Sequence, residues 1–462
     1  QPVFRLDYTY WSSPVKENSG FTLSNLSPQT MFNKFLKWNH AGTPQAWQVV
    51  SNGNEAMVPG RGYLVRAPQN YNVEGAGAPQ EYAGAFIGTP NNGVITHAVS
   101  GSTTANRWNL IGNPYPSAID AETFLNENSE VLGGTLYFWT HNSAFSSASG
   151  YAYTASDYAS WNLSGGTGTT TQGANENSNL SIPTGKIAAG QSFFVQGVSE
   201  GNTTAVFNNS MRVTQGNLNN QFFRPSPSQP VENWEITGKH RVWLNLTSTQ
   251  NHFNQILVGY IENATNGLDN SYDGGVFSGG AVSLYSILDS KNLTIQGRAL
   301  PFSNQDEVPL GYKTTLTGTL KISIDHFDGL FEGQNVYLKD NVLNIVHNLK
   351  DSDYEFTTVP GTFNDRFVLQ YLPQETLGTD VPTLEANSIV VFNNNNQINI
   401  KSTEQVISKV EIYDLQGRVI FTKNNIDGQS FATQSLSVKN QLVIVKVITD
   451  NNSELVKKVM LK

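Results

Sequence analysis

The sequence predicts an all-β protein of tandem β-sandwich domains that ends in a small immunoglobulin-like domain. Three observations carry that expectation. Short runs rich in Val, Ile and aromatic residues recur along the whole chain, separated by clusters of Gly, Asn, Asp and Pro. Gly occurs 40 times and aromatic residues make up 11%, whereas long helix-forming runs of Ala, Glu, Leu and Lys are absent. At 462 residues the chain has room for about three domains with substantial cores.

Residues 1–224 read as an aromatic, Gly-rich β domain whose punctuation occurs twice. Tyr10-Trp11-Ser12-Ser13-Pro14-Val15 is followed by the run from Phe32 to Asn39 and then by Val58 to Arg66. Leu110 to Ser117 is followed in the same way by Thr135 to Asn142 and then by Ala188 to Gln196. Turn, aromatic strand, Gly turn, aromatic strand: the pattern predicts a degenerate internal duplication. The second copy carries an insertion between about Ser143 and Leu180, in which the low-complexity Gly165 to Thr171 predicts a mobile loop. Ser117 to Asn128 is the best helix candidate, with Ser117 as its cap and Ile119, Phe124 and Leu125 on one face.

Three prolines, Pro225, Pro227 and Pro230, make residues 225–234 a stiff, extended linker. Beyond it, residues 235–372 hold strand-length runs such as Arg241 to Leu246, Gln255 to Tyr260, Leu320 to Asp325 and Arg366 to Tyr371. Their spacing predicts a Greek-key sandwich. A polar, Pro-flanked connector at 373–387 precedes the last domain, 388–462.

In that last domain Val410-Glu411-Ile412-Tyr413-Asp414 alternates apolar with polar and meets Leu415-Gln416-Gly417-Arg418, where Gly417 offers a positive φ for a hairpin turn. Residues 440–447 are apolar on both faces and predict a strand covered on two sides. Leu455 to Leu461 supplies the closing strand.

The run VEIYDLQGRVI, followed by NQLVIVKV and the terminal KKVMLK, resembles the C-terminal sorting domain of proteins exported by the type IX secretion system of Bacteroidota. The resemblance covers the last 75 residues and implies a small immunoglobulin-like sandwich that acts as an export signal. The opening Ser388-Ile389-Val390-Val391-Phe392-Asn393 departs from the commoner Tyr-Pro-Asn-Pro-like start and lies nearer the variety called type C. The resemblance implies as partners the outer-membrane translocon barrel and its barrel shuttle protein, and a location on the cell surface. Recognition is expected at Asp414, Leu415, Gly417 and Arg418 and at Lys457, Lys458 and Val459. Gly417 also sets the turn, and Arg418 suits either a partner contact or a structural salt bridge. YWSSPV, NLIGNPYPSAID, YFWTHN and GTFNDRFVLQY resemble the segment that precedes such sorting domains in large flavobacterial surface proteins. The start at Gln1 lacks a basic-then-apolar leader and opens directly in strand-like sequence, so a fragment of something longer is expected.

The net charge of −9 argues against a nucleic-acid footprint and disfavours anionic partners in general. With Cys 0 there is neither a disulfide framework nor a thiolate site. No run approaches the roughly 18 apolar residues of a membrane-spanning helix. No cofactor is expected, with one qualification: Asp269, Asn270 and Asp273 sit on a Gly-bent loop. They read either as hard oxygen ligands for a structural Ca²⁺ or as a solvated Asx-type turn.

The seven histidines show no His-x-x-x-His or Glu-x-x-His spacing. Trp139 and His141, at the end of an aromatic strand, are the candidate ligand-binding pair, with a structural role for His141 as the other reading. Gly197-Val198-Ser199-Glu200-Gly201 has the spacing of a nucleophile elbow but precedes a strand, so it reads as a hairpin turn. Asp120 with Glu122, and Asp325 with Asp328, are too close in sequence to face each other across a glycosidic cleft. No enzyme is expected. Trp11, Trp38, Trp47, Trp108, Trp139 and Trp161 suit core packing, or stacking on a surface glycan if exposed in a row. Two functions therefore remain: a cell-surface cargo protein with a C-terminal export signal, or a surface adhesin or carbohydrate-binding module in residues 1–372.

Overall fold

In the computed structural model the chain divides into two compact units, Gln1–Pro373 and Gln374–Lys462, each built mainly of strands. The structure describes residues 2–103, 105, 107–143, 145, 153–170, 182–213, 238–277, 279–373, 389–394, 397–403, 405–436, 438, 441–451 and 453–461. The expected linker at 225–234, and residues 374–387 of the second connector, lie outside them.

Two antiparallel sheets organise the first part of the larger unit. One contains β1 (Tyr8–Trp11), β2 (Phe35–Asn39), β3 (Ala46–Val49) and β4 (Tyr63–Arg66) in the order β1-β4-β2-β3. The other contains β5 (Arg107–Gly112), β6 (Leu132–Trp139), β7 (Tyr158–Asn162), β8 (Gly165–Thr167) and β9 (Ser192–Gly197) in the order β8-β7-β6-β9-β5. Read from β5, the second sheet runs β5-β9-β6-β7, which matches β1-β4-β2-β3 position for position. The repeated aromatic runs thus occupy equivalent strands. Bridges from Trp11 to Gln191 and from Arg61 to Ile111 tie the sheets together.

Period-2 alternation explains why β6 is buried at every residue. Leu136 and Phe138 face a cluster with Phe124, Phe193 and Val195. Tyr137 and Trp139 face the opposite one, with Tyr10, Leu110 and Phe194.

In this first part the structure departs from two sequence expectations. The helix spans Ala121–Glu127, and its N-cap is Asp120, whose Oδ1 accepts from the Thr123 N–H at 2.8 Å. Ser117 cannot cap, because Ile119–Asp120 is already paired as a strand with Lys186–Ile187. The Gly-rich stretch expected as a mobile loop is in part strand β8, buried and paired with Ser160 to Asn162. Its glycines serve close approach: a Cβ at Gly166 would lie 2.5 Å from the Pro183 carbonyl.

The rest of the larger unit is one sheet of eleven strands. In chain order these include β10 (Lys239–Ser248), β11 (Phe253–Ile261), β12 (Val282–Leu288), β13 (Lys291–Ala299) and β14 (Glu307–Thr314). They continue with β15 (Gly318–Phe327), β16 (Tyr337–Asp340), β17 (Ile345–Asn348), β18 (Tyr354–Thr358) and β19 (Gly361–Gln370). The order is β17-β16-β19-β14-β12-β13-β11-β10-β15-β18, with Gly274–Gly275 added beside β13 and one parallel pair, β11 with β13. The sheet curls until its ends meet: on edge strand β18 the Tyr354 hydroxyl donates to Asp340 Oδ2 on β16 at 2.9 Å, and Arg366 donates to the same oxygen. The sandwich core expected from two sheets is therefore enclosed by one continuous sheet around Tyr260, Tyr312, Phe331 and Phe367.

Within this unit the two parts are joined by polar contacts. Trp243 Nε1 donates to the Gly166 carbonyl at 2.7 Å and Arg241 Nη1 to that of Ser164 at 3.2 Å. The Tyr137 hydroxyl donates to the Gly275 carbonyl at 2.7 Å.

The smaller unit is a seven-stranded sandwich. One sheet is β20 (Ile389–Asn394), β21 (Gln397–Ser402) and β24 (Ser430–Ala432), in the order β20-β21-β24. The other is β22 (Ile407–Tyr413), β23 (Val419–Gly428), β25 (Gln441–Thr449) and β26 (Glu454–Leu461), in the order β23-β22-β25-β26. Its buried cluster is wholly aliphatic, from Ile389 to Leu461. Strand β25 is covered on one face, not two: Val443, Val445 and Val447 are buried, while Ile444, Lys446 and Ile448 are half-buried on the other side.

Candidate functional site

A polar cleft of about 740 Å³ opens where the two parts of the larger unit meet. Strands β5, β6 and β9 supply one wall. Pairing of Gln196 with Trp108 and of Phe194 with Tyr137 sets Trp108 edge-on to Tyr137, their ring centres 5.3 Å apart, and Phe277 packs 4.4 Å from Trp108. The opposite wall comes from the β12–β13 hairpin, with Ser283, Lys291 and Asn292, and from Lys313 and Thr362 on the neighbouring strands β14 and β19. Trp108 stays half-buried and Tyr137 is buried.

The loop from Leu268 to Asp273 forms one rim of the cleft. Its carboxylates are occupied by backbone. Asp273 Oδ2 accepts from the Asp269 N–H at 2.6 Å and Oδ1 from that of Gly297 at 3.0 Å, while Asp269 Oδ2 accepts from the Thr265 N–H. Asn270 reaches the Leu132 carbonyl instead. Burial pushes the Asp273 carboxyl up to about 7. This is hydrogen-bonded Asx geometry, and no group of three or more His, Asp or Glu placed to hold a metal ion occurs among the described residues.

Trp139 and His141 lie together, but inside. Trp139 is 6% exposed, and its ring centre is 5.5 Å from that of His141. His141 adopts a φ of 52° and places Nδ1 3.2 Å from Asp7 Oδ1. Burial holds His141 down at about 4 and lifts Asp7 to about 7, so a neutral pair is favoured. Neither residue lines the cleft.

The remaining motifs are absorbed by structure. Ser199 sits in the turn between β9 and the strand Gly201–Phe207, and these pair with different sheets, so the turn links sheets and is not a hairpin. Asp120 pairs with Lys186, Asp325 Oδ1 accepts from Asn245, and Asp328 pairs with Arg241 at 2.6 Å. Trp11, Trp38 and Trp47 are half-buried like Trp108, whereas Trp161 and Trp243 are buried.

In the smaller unit the β22–β23 hairpin closes on itself. Asp414 Oδ1 accepts from the Gln416 and Arg418 N–H groups at 2.9 Å each, and Oδ2 accepts from Arg418 Nε at 2.7 Å. These bonds, led by that from the Arg418 backbone, hold the Asp414 carboxyl below its ordinary range. Gly417 takes a φ of 82° in open space, and Leu415 is 65% exposed. On β26 Lys458 is exposed, whereas Val459 is only 8% exposed and packs in the core. Of the residues expected to be recognised, Val459 therefore presents no side chain to a partner.

Sequence reasoning named Trp108 among six tryptophans but missed Lys291 and Lys313. The available signal was two lysines flanking strands in a chain with only 14% charged residues.

These features define an all-β chain with a cleft-bearing unit and a separate small sandwich. The chain belongs to the family described as Domain of unknown function (DUF8693), whose model matches residues 1–371. A second family model, Domain of unknown function (DUF8694), matches residues 377–461. No curated protein matches the chain. Among solved structures, it is similar to Tp47, the 47-kilodalton lipoprotein of Treponema pallidum, at 8% identity and a TM-score of 0.17, covering 78% of this chain and 92% of that one. It is also similar to the BSP domain of a biofilm-associated protein, at 11% identity and a TM-score of 0.14, covering 80% and 63%. Neither superposes closely enough to inform function.

Proposed function

We propose that the chain is a secreted cell-surface cargo protein, and that its C-terminal sandwich is the export signal read by the type IX translocon barrel and its shuttle protein. Beside the resemblance of VEIYDLQGRVI and KKVMLK, one structural observation supports this reading. The small sandwich leaves apolar side chains outside its core on its end strands: Val456 and Met460 on β26, and Val390 and Phe392 on β20. The Asn393 side chain donates to the Met460 carbonyl at 3.0 Å, which places these strands side by side. An exposed apolar strip with Lys458 between Val456 and Met460 on the same strand suits recognition by another protein.

The test is export from a type IX-competent host. Removing residues 388–462 is expected to leave the protein in the cell envelope, and fusing them behind a leader and an inert reporter is expected to carry the reporter out. Normal export of the truncated chain sinks the proposal. The Val456→Ser/Met460→Ser double variant, with the core intact, is expected to reduce export severalfold.

A second reading, a surface adhesin or carbohydrate-binding module in residues 1–372, is favoured by the polar cleft with half-exposed Trp108 on its wall. It is compatible with the first, since exported cargo acts after export.

A further inference from the structure

The cleft has an electrostatic character that the whole chain lacks. Against a net charge of −9, two exposed lysines, Lys291 and Lys313, line it, and neither forms an ion pair among the described residues. The acids on the rim do not answer them. Asp269 turns into its own loop to accept from Thr265, and Asp273 is buried with both oxygens hydrogen-bonded to backbone. The ammonium groups are left for something else.

The other lining groups narrow what that is. Asn292 and Thr362 are exposed, make no side-chain hydrogen bond within the described protein, and offer an amide and a hydroxyl to the cleft. Trp108 offers a half-exposed ring held in place by Tyr137 and Phe277. Its carbonyl, which accepts from Trp38 Nε1 and Gln45 Nε2, locks the strand behind it. A partner must therefore present an anion, several hydroxyls and a flat face of C–H bonds. A ring sugar bearing a carboxylate or sulfate has all three, and a volume of about 740 Å³ lies within the range of ligand sites. An acidic peptide shares the charge but not the hydroxyls or the ring face.

We propose that this cleft binds an acidic glycan, with Lys291 and Lys313 on its anionic groups and Trp108 against a sugar ring. The inference rests on the second reading above and gives it a site and a ligand class.

The experiment is calorimetric titration of the full chain at low salt with hexamers of galacturonate, mannuronate and glucuronate and with a sulfated galactan oligomer. A neutral galactan hexamer and hexaglutamate serve as controls. Binding to at least one acidic sugar is expected, at least tenfold tighter than to the neutral hexamer, and the uronate and sulfate arms identify the anionic group. The Lys291→Gln/Lys313→Gln variant, on exposed positions, is expected to lose about tenfold in affinity and most of the salt dependence. Equal binding of the neutral hexamer, or no effect of the double variant, overturns the acidic assignment and leaves glycan binding standing. Equal binding of hexaglutamate overturns the sugar assignment. No binding of any glycan overturns both this inference and the reading on which it rests.

Discussion

The two compact units each build a β core in a chain with no cysteine, but from different materials. The larger unit packs aromatic clusters, such as Tyr10, Tyr137, Trp139 and Phe194, and threads buried polar groups among them. The buried centre of the smaller is Ile, Val and Leu, with Phe421 and Phe431 packed only at its margin. Aromatic rings bring edges, hydroxyls and indole N–H groups inside, and these need partners placed at defined angles. A core of that kind fixes the parts of the larger unit in register and leaves a shaped cleft between them. An aliphatic core fixes only two sheets, and its chemistry stays on the outside.

Glycine gives the sharpest contrast between the units. At Gly134, on β6, an added Cβ would fall 2.0 Å from the Asn270 carbonyl oxygen and 2.6 Å from the Ser271 Cα. Backbone cannot give way as a side-chain tip can. Gly134→Ala is expected to cost about 3 kcal/mol and to push the cleft rim outward. At Gly417 an added Cβ meets nothing within 4 Å, and only the φ of 82° opposes it. Gly417→Ala is expected to cost about 1 kcal/mol. Chemical denaturation of both variants checks the order, and equal losses would break the contrast.

Acids shift in opposite directions in the two units. Burial lifts Asp157, beside β7, to about 7, with Oδ1 accepting from the Ser143 N–H and hydroxyl and Oδ2 buried without a partner among the described residues. Its pKa in the folded state exceeds the unfolded value of 3.8, so its contribution to stability is full below about pH 4 and is lost as pH rises through about 7. Asp7 and Asp273 act in the same sense. His141, held down by burial, acts oppositely and loses stability as pH falls below about 6.5. Comparing variant with wild type isolates one group: Asp157→Asn, which mimics the neutral acid, is expected to stabilise the protein by a few kcal/mol at pH 8 and to change little at pH 4. Thermal melts across pH check it, and an identical gain at both values would place the effect elsewhere.

Legibility in the sequence followed the same division. In the smaller unit the β22–β23 hairpin and the closing strand β26 were readable, because alternation at Val410 to Asp414 and the positive φ of Gly417 are local facts, whereas β20, β21 and β24 were not read individually. Strand β25 was placed but misread, for its Leu442 and Ile444 looked two-sided although one face is only half-covered. In the larger unit the repeated aromatic runs pointed to equivalent strands, yet Gly165 and Gly166 read as a mobile loop. Nothing local shows that Arg241 and Pro183 press against them. Trp139 and His141 were singled out for their place at a strand end, and the structure folds Asp7 and Tyr153 over them. The cleft depends on residues from 108 to 362, and Lys291 and Lys313 acquire their meaning only when the sheet brings them to one wall.

The smallest expected effect is on Asp414 and Arg418. Hydrogen bonds lower the Asp414 pKa, so its contribution is present above about pH 4 and lost as pH falls through the lowered value, the reverse of Asp157. The Arg418 side chain is 75% exposed, and an ion pair so placed contributes under about 1 kcal/mol. Arg418→Ala removes the guanidinium but keeps the backbone N–H that bonds to Asp414 Oδ1. Its stability is therefore expected to fall by no more than about 0.5 kcal/mol. Asp414→Ala removes the acceptor of both N–H bonds and is expected to destabilise the hairpin more than Arg418→Ala does. If Arg418→Ala nevertheless abolishes export while the melt is unchanged, the side chain belongs to a partner. If export and stability fall together only in Asp414→Ala, the hairpin matters as a fold element, and the exposed strip on β20 and β26 becomes the surface to map.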